Sequence, residues 1–297
     1  MNNHNLKWIF LIILSVIWGS SFVLMKIAID NGLSALQLGA LRIVICSLFL
    51  FVIGFNQIKK IRKKHVKWVA LSAFLGTFFP VFLFSYAHTQ IDSSIASILN
   101  SLTPLNTIIF GYLAFSSKFT KNQLLGVLTG LTGTVILIIL SKGLNPNQNY
   151  LYSLLVLAAS ICYAFNVHII KKHLQDLNPI SIAVGNFIVI FIPSAIMLYF
   201  TKFFDLDFSN NYKIKNAIIS VLALAVFGTG IAKIMFNKLV QIATPIFASS
   251  VTYTIPIVAV ILGTLYGEKL NMLQLIAAGI ILLGVYLANK KAKKSPK

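Results

Sequence analysis

Apolar residues along this chain come in runs of about twenty, and polar residues gather in the short gaps between the runs. A bilayer core about 30 Å thick takes about 20 apolar residues as helix, and backbone in lipid must satisfy its own hydrogen bonds, so each run predicts a membrane-spanning α-helix. Ten are predicted, over residues 8–29, 36–55, 67–87, 93–115, 123–141, 151–170, 180–201, 216–238, 246–267 and 271–288. The first run, from Trp8 to Ile29, is too long for the apolar part of a signal peptide, and Trp18-Gly19-Ser20-Ser21 is no cleavage site. It reads as an uncleaved first helix. The expected fold class is an all-α polytopic membrane protein.

Composition agrees with that pattern. Of 297 residues 58% are hydrophobic and 10% charged, with a mean hydropathy of +0.86; an ordinary globular domain is about a quarter charged. The net charge of +19 does not indicate nucleic acid, because apolar runs separate the basic residues and keep them off any common soluble face. The expected surroundings are a lipid bilayer. An even number of spans leaves both termini on one side. Placing them in the cytoplasm puts sixteen basic residues inside, among them Lys59, Lys60, Arg62, Lys63, Lys64, Lys67 and the tail lysines, against six outside. A cell membrane (plasma or inner) protein with both termini cytoplasmic is expected. Cys46 and Cys162 lie within apolar runs with no CxxC partner or clustered histidine, which points to packing rather than to a disulfide or a metal site.

The two halves resemble each other. At an offset of 145, Ser15 meets Ser160, Trp18-Gly19 meets Tyr163-Ala164 and Lys26 meets Lys171. At 152, Phe84 meets Phe236, Ala96-Ser97 meets Ala248-Ser249, Pro104 meets Pro256 and Gly111 meets Gly263. At 151, Gln123-Leu124 meets Gln274-Leu275 and Gly133 meets Gly284. Five spans per half is an odd number, so the second half must enter from the opposite side. The expectation is two inverted five-helix repeats, residues 1–145 and 146–297, with a small-molecule substrate bound near the midplane between them.

Polar residues within the spans are the candidate site. Ser93, Ser97, Asn100, Pro104, Thr107 and Gly111 share one helical face, and Ser249, Thr252, Pro256, Ala259 and Gly263 form its counterpart. Such faces serve helix packing as readily as binding, but the Asn100 amide is costly to hide in hydrocarbon and should face protein or a wet cavity. Each proline removes a mid-helix hydrogen bond and permits a bend. Arg42 either reaches the interface or offers a cation to the cavity. Lys233 lies deeper, on the face of Gly230 and Asn237, as a cavity or gate residue or a lysine that reaches inward. Asn166 and Asn186 suit either a zwitterion or a helix cross-link, and Trp18 with Tyr163 suit either a substrate ring or packing. Lys26 and Lys171 read as interface anchors, and His88 and His168 as solvated residues at helix ends. Gly126, Gly130 and Gly133, with Gly284 and Ala288, give helices five and ten small faces suited to buttressing or to a homodimer contact.

Taken as a set, Trp18-Gly19-Ser20-Ser21-Phe22 through Lys26, Ala40-Leu41-Arg42, Pro104 followed by Gln123-Leu124-Leu125-Gly126, and Gly267-Glu268-Lys269-Leu270 resemble the EamA family of the drug/metabolite transporter superfamily, over nearly the whole chain. The resemblance implies an inverted-repeat carrier in which helices one to four and six to nine surround a cavity, and export of small metabolites, often amino acids. It also implies an acidic residue after the fourth helix, where this chain has Ser117 opposite Glu268.

No span carries Asp or Glu near its centre, so a buried carboxylate proton relay has no evident residues. There is no P-loop, HExxH or GxSxG, and no cofactor, metal or enzyme activity is expected. The leading expectation is a secondary exporter of amino acids or related zwitterions. Its substrate residues would be Trp18, Arg42, Ser97, Asn100, Thr107, Asn166, Asn186, Lys233, Asn237 and Thr252, with Pro104, Pro256 and Glu268 at bends or gates. The alternatives are an antiporter in which Arg42 and Lys233 clamp phosphorylated or nucleotide-linked anions, and a membrane-embedded enzyme or assembly protein.

Overall fold

The computed structural model describes residues 3–115, 121–144, 148–208 and 211–289, and among these every regular element is helical. Ser117 and the tail lysines lie outside the described residues. The chain runs through α1 (Asn3–Asp30), α2 (Ala35–Gly54), α3 (Lys63–Ala87), α4 (Ser93–Phe115), α5 (Lys121–Leu144), α6 (Ser153–His173), α7 (Pro179–Phe200), α8 (Tyr212–Ile242), α9 (Pro245–Leu265) and α10 (Met272–Asn289). Eight helical stretches, those of α1 to α4 and α6 to α9, are long and apolar enough to cross a membrane. The apolar parts of α5 and α10 are shorter, Leu124–Leu137 and Met272–Gly284. Several helices outrun the predicted apolar runs because their first turns continue into capped polar residues. Ser34 and Gln37 form a capping box on α2, Asn271 and Gln274 one on α10, and Asn178, Asn211 and Thr244 cap α7, α8 and α9.

Four helices are interrupted. In α4 the segments Ser93–Asn100 and Thr103–Phe115 are separated by a turn whose amides, Ser101 and Leu102, bond three residues back. In α9 a 3₁₀ stretch, Ser250–Tyr253, precedes Ile255–Leu265. Pro104 and Pro256 are each the second residue of the segment after the break, where first-turn amides have no intrahelical partner and a missing N–H is tolerated. The other two interruptions are π-helical turns, Phe74–Phe78 in α3 and Leu224–Ile231 in α8. Both contain Gly-Thr, at 76–77 and 228–229, separated by the same 152 residues that relate Pro104 to Pro256. The sequence comparison had passed over this pair.

Close approach explains both glycines. A Cβ at Gly76 would lie 2.5 Å from the Asn166 amide on α6, and one at Gly228 would lie 2.6 Å from Ser21 Oγ on α1. Ser21 and Asn166 are themselves 145 residues apart. The main packing pairs are α1 with α8 and α9, α6 with α3 and α4, α2 with α7, and α5 with α10. Exchanging the first five helices for the last five leaves that set unchanged. The small faces of α5 and α10 meet within one chain, where a Cβ at Gly284 would strike the backbone of Gly126 and Gly130. The glycines of the predicted small faces, Gly126, Gly130 and Gly284, are therefore used in packing α5 against α10.

Candidate functional site

Where α1, α2, α3, α4, α6, α8 and α9 converge they leave a central cavity of about 100 Å³, room for several waters or a small solute. Its wall is largely apolar and carries five aromatic rings, those of Trp18, Phe22, Phe84, Tyr163 and Phe236. Trp18 tilts against Phe236 with ring centroids 5.2 Å apart, Phe22 meets Phe84 edge-on at 5.5 Å, and Phe84 stacks on Tyr163 at 6.2 Å. Polar groups enter from the interrupted helices: Asn100 and Thr103 beside the break in α4, Ser249 and Thr252 beside that in α9, and Thr77 and Thr229 in the π turns. Among the described residues no carboxylate lines the cavity.

Arg42 points inward rather than to the interface. Its side chain is buried, Nε donates to Thr229 Oγ1 at 2.6 Å, and Nη1 approaches Met25 Sδ at 3.5 Å. Lys233 donates from Nζ to the Gly76 carbonyl at 2.8 Å, and Trp18 Nε1 donates to the Gly228 carbonyl at 3.0 Å. A π turn widens the backbone ring and disturbs the regular i→i−4 ladder. Here the two matched π-turn carbonyls are engaged from across the cavity by an ammonium and an indole. Arg42 is held by Thr229 of the α8 π turn and Lys233 by Gly76 of the α3 π turn, so the two cations enter the cavity at the two matched turns. Asn166 Oδ1 accepts from Ser72 Oγ at 2.7 Å, and Ser72 lies 3.1 Å from the Asn186 amide, so α3, α6 and α7 are tied together behind the cavity.

Six predicted substrate residues therefore meet at one place: Trp18, Arg42, Asn100, Asn166, Lys233 and Thr252. Four do not. Ser97 returns its hydroxyl to Ser94 O, Thr107 to Thr103 O, Asn186 supports Asn166 from behind, and Asn237 donates to Pro179 O at the start of α7. The Ser97 and Thr107 hydroxyls lie off the cavity and are satisfied three or four residues back on their own helix. Sequence reasoning missed Phe22, Met25, Phe84 and Phe236, which no polarity signal distinguishes from packing. It also missed Thr229, which the spacing of the Gly-Thr pair would have marked.

Both ends of the bundle are tied. At the end remote from Lys59–Lys67, Glu268 receives the backbone N–H of Ser93 at 2.8 Å and of Ser94 at 3.0 Å, together with both serine hydroxyls, and so caps α4. Lys26 approaches the His88 carbonyl at the end of α3 at 3.4 Å. At the basic end Lys171 donates to the carbonyls of Val240, Gln241 and Ala243 at the end of α8. His88 and Val240 are again 152 residues apart, so these lysines act as matched caps on helix C-termini rather than as lipid anchors. His88 and His168 are not solvated either. His88 is fully buried on Phe84 O, and His168 Nε2 lies 2.8 Å from Thr107 O. Asp176, in the loop between α6 and α7, accepts from Lys64 at 2.6 Å and pairs with His65 Nε2 at 3.0 Å; Lys64 first and His65 second hold its carboxyl down to about 2. Among the described residues no three His, Cys, Asp or Glu side chains gather as a metal site.

Known proteins resemble the chain over the same architecture. A transporter of Archaeoglobus fulgidus described as uncharacterized is 25% identical over 288 residues, covering 96% of this chain and 99% of the relative. The uncharacterized inner membrane transporter YedA of Escherichia coli (strain K12) is 26% identical, covering 92% and 87%. The uncharacterized transporter YoaV of Bacillus subtilis (strain 168) is 24% identical, covering 93% and 94%. A solved crystal structure at 15% identity superposes with a TM-score of 0.61, covering 93% of this chain and 96% of the other, which shows a shared fold. The EamA-like transporter family matches twice, over residues 6–139 and again over 151–290. With both halves matched and apolar helices throughout, this multi-pass membrane protein belongs to the EamA-like transporter family.

Proposed function

We propose that the protein is a secondary transporter that exports small metabolites, amino acids and related zwitterions foremost, by alternating access around the central cavity. One observation carries this: Arg42, Lys233, Asn100, Asn166 and Thr252, from five different helices, converge on one cavity flanked by interrupted helices. A substrate carboxylate would take the two cations, and the rings would take its side chain. Ten spans in two inverted repeats, residues 1–145 and 146–297, are supported by the double family match, by the exchange symmetry of the packing, and by the paired π turns and lysine caps. The basic loops support a cell membrane location with both termini cytoplasmic. The breaks at Pro104 and Pro256, and the Glu268 cap, supply the bending and sealing elements.

Uptake of labelled amino acids into inside-out vesicles tests the reading. Transport that falls in Asn100→Ala and Lys233→Met variants of normal expression is expected; the absence of transport for all twenty, with folded protein, would remove the substrate class. The convergence of Arg42 and Lys233 without an acid also favours a second reading, antiport of small phosphorylated anions. Competition by sugar phosphates in proteoliposomes separates the two.

A further inference from the structure

The charges and the hydrogen-bonding roles on the cavity wall are lopsided. A zwitterion brings one anionic and one cationic group, and burying each calls for a partner of opposite sign or a set of acceptors. The wall offers a guanidinium and an ammonium, and no carboxylate lines it among the described residues. Several of its neutral acceptors are already engaged, though Thr77 Oγ1 is left without a partner. The Gly76 carbonyl is taken by Lys233, the Gly228 carbonyl by Trp18, Thr229 Oγ1 by Arg42 and Asn166 Oδ1 by Ser72.

Donors, by contrast, are in surplus. Arg42 has five N–H groups and directs two toward protein, to Thr229 and Met25; Lys233 has three and directs one; the Asn100 amide N–H₂ is left for the cavity. A wall of spare donors and two cations suits a group that only accepts, and an ionised carboxylate is such a group. The remaining surface, Trp18, Phe22, Met25, Phe84, Tyr163 and Phe236, suits a ring or a branched apolar body. An α-ammonium placed there would meet two like charges and, among the described residues, no carboxylate.

We infer that the cavity prefers amine-free carboxylates with an aromatic or bulky apolar body, such as aryl-alkanoates or 2-oxo acids, over the corresponding amino acids. This rests on the transport reading's cavity being the binding site, and it moves zwitterions from the first to the second place among its substrates. The same positive field that recognises the carboxylate discriminates against the amine, so selectivity and affinity share one origin.

A matched ligand series tests it on the full chain in lipid nanodiscs, by calorimetry or thermal shift: 3-phenylpropanoate, phenylalanine and 2-phenylethylamine share a ring and differ in charge. Binding of 3-phenylpropanoate at least tenfold tighter than phenylalanine, with no binding of 2-phenylethylamine, is expected. Equal or tighter binding of phenylalanine, binding of the amine, or no binding of any of the three overturns the inference. Because the comparison uses the wild-type chain, it does not depend on a variant folding. Arg42→Gln should then weaken 3-phenylpropanoate at least tenfold and leave the neutral 3-phenylpropanol within threefold; equal loss of both points to altered shape and counts against the inference. Proteoliposome exchange keeps the two proposals apart. Carriage of phenylalanine without competition by 3-phenylpropanoate sinks this inference alone, whereas binding of 3-phenylpropanoate with no carriage of any solute sinks the transport reading alone.

Discussion

Replacing Glu268 by glutamine removes the carboxylate that closes the start of α4 while keeping the side chain's length. In the wild-type chain its two oxygens accept two backbone N–H groups, at 2.8 and 3.0 Å, and two serine hydroxyls. Glutamine keeps one carbonyl oxygen and turns an N–H₂ toward the other donor. The serine hydroxyl can rotate to accept from that N–H₂, but the backbone N–H cannot. One orphaned amide costs about 1–3 kcal/mol, and loss of negative charge at a helix N-terminus costs about 0.3–1 kcal/mol more. A value of about 2 kcal/mol, in the lower half of the combined range of about 1.3–4, corresponds to roughly 30-fold in the opening equilibrium of this helix start, at about 1.4 kcal/mol per factor of ten. Hydrogen exchange by mass spectrometry in nanodiscs reads it directly: the peptide covering residues 88–100 should exchange about 30-fold faster, while α5 and α10 keep wild-type protection. Protection within threefold of wild type across residues 92–96 would show that the cap does not hold this end, and the gate role of Glu268 would go with it.

Three further outcomes follow from the packing. Gly76→Ala and Gly228→Ala each drive a methyl into a polar side chain, Asn166 and Ser21 respectively, and should each lower stability by about 1–3 kcal/mol, seen as a lower melting temperature. Gly284→Ala meets the backbone of Gly126 and Gly130, which cannot rotate away, and should cost at least as much, with faster exchange confined to α5 and α10. The tie from Asp176 to Lys64 and His65 has the usual sign for a depressed carboxylate: its contribution is present above the unfolded value near 3.9 and is lost as pH falls through about 2. Loop protection at residues 174–178 should therefore persist at pH 5, decline between about pH 4 and 2, and be weaker at pH 7 in Asp176→Asn.

Helix placement was legible because a bilayer selects on length and apolarity, which a sequence displays openly. The breaks in α4 and α9 were legible for a similar reason, since Pro104 and Pro256 cannot donate the bonds a continuous helix needs. The π turns escaped notice: an inserted residue in the helical ladder leaves no compositional mark, and only the recurrence of Gly-Thr at 76 and 228 betrays it. Arg42 and Lys233 were found because charge in a span is rare. Asn186 and Asn237 were misplaced by the same rule, since an amide satisfied by a neighbouring helix reads like one facing a cavity. The aromatic wall was hidden because Phe22, Phe84 and Phe236 differ in no local property from the many other phenylalanines of the chain; only their convergence on one cavity sets them apart.

Arg42 keeps its charge at any pH a cell tolerates, and no carboxylate among the cavity-lining residues neutralises it. Under the proposed alternating-access export, that would make the protein an electrical device. In alternating access the membrane potential falls mainly across the sealed end, so the cavity takes the potential of whichever side it opens to. An elementary charge carried through 100 mV is worth about 2.3 kcal/mol. An inside-negative potential would draw the empty, cationic cavity to the cytoplasmic side, and a bound monoanion would weaken that pull and ease the loaded carrier's turn outward. Voltage alone could then reset an exporter that has no proton relay, and exchange rates measured under a clamped potassium gradient should depend on its sign.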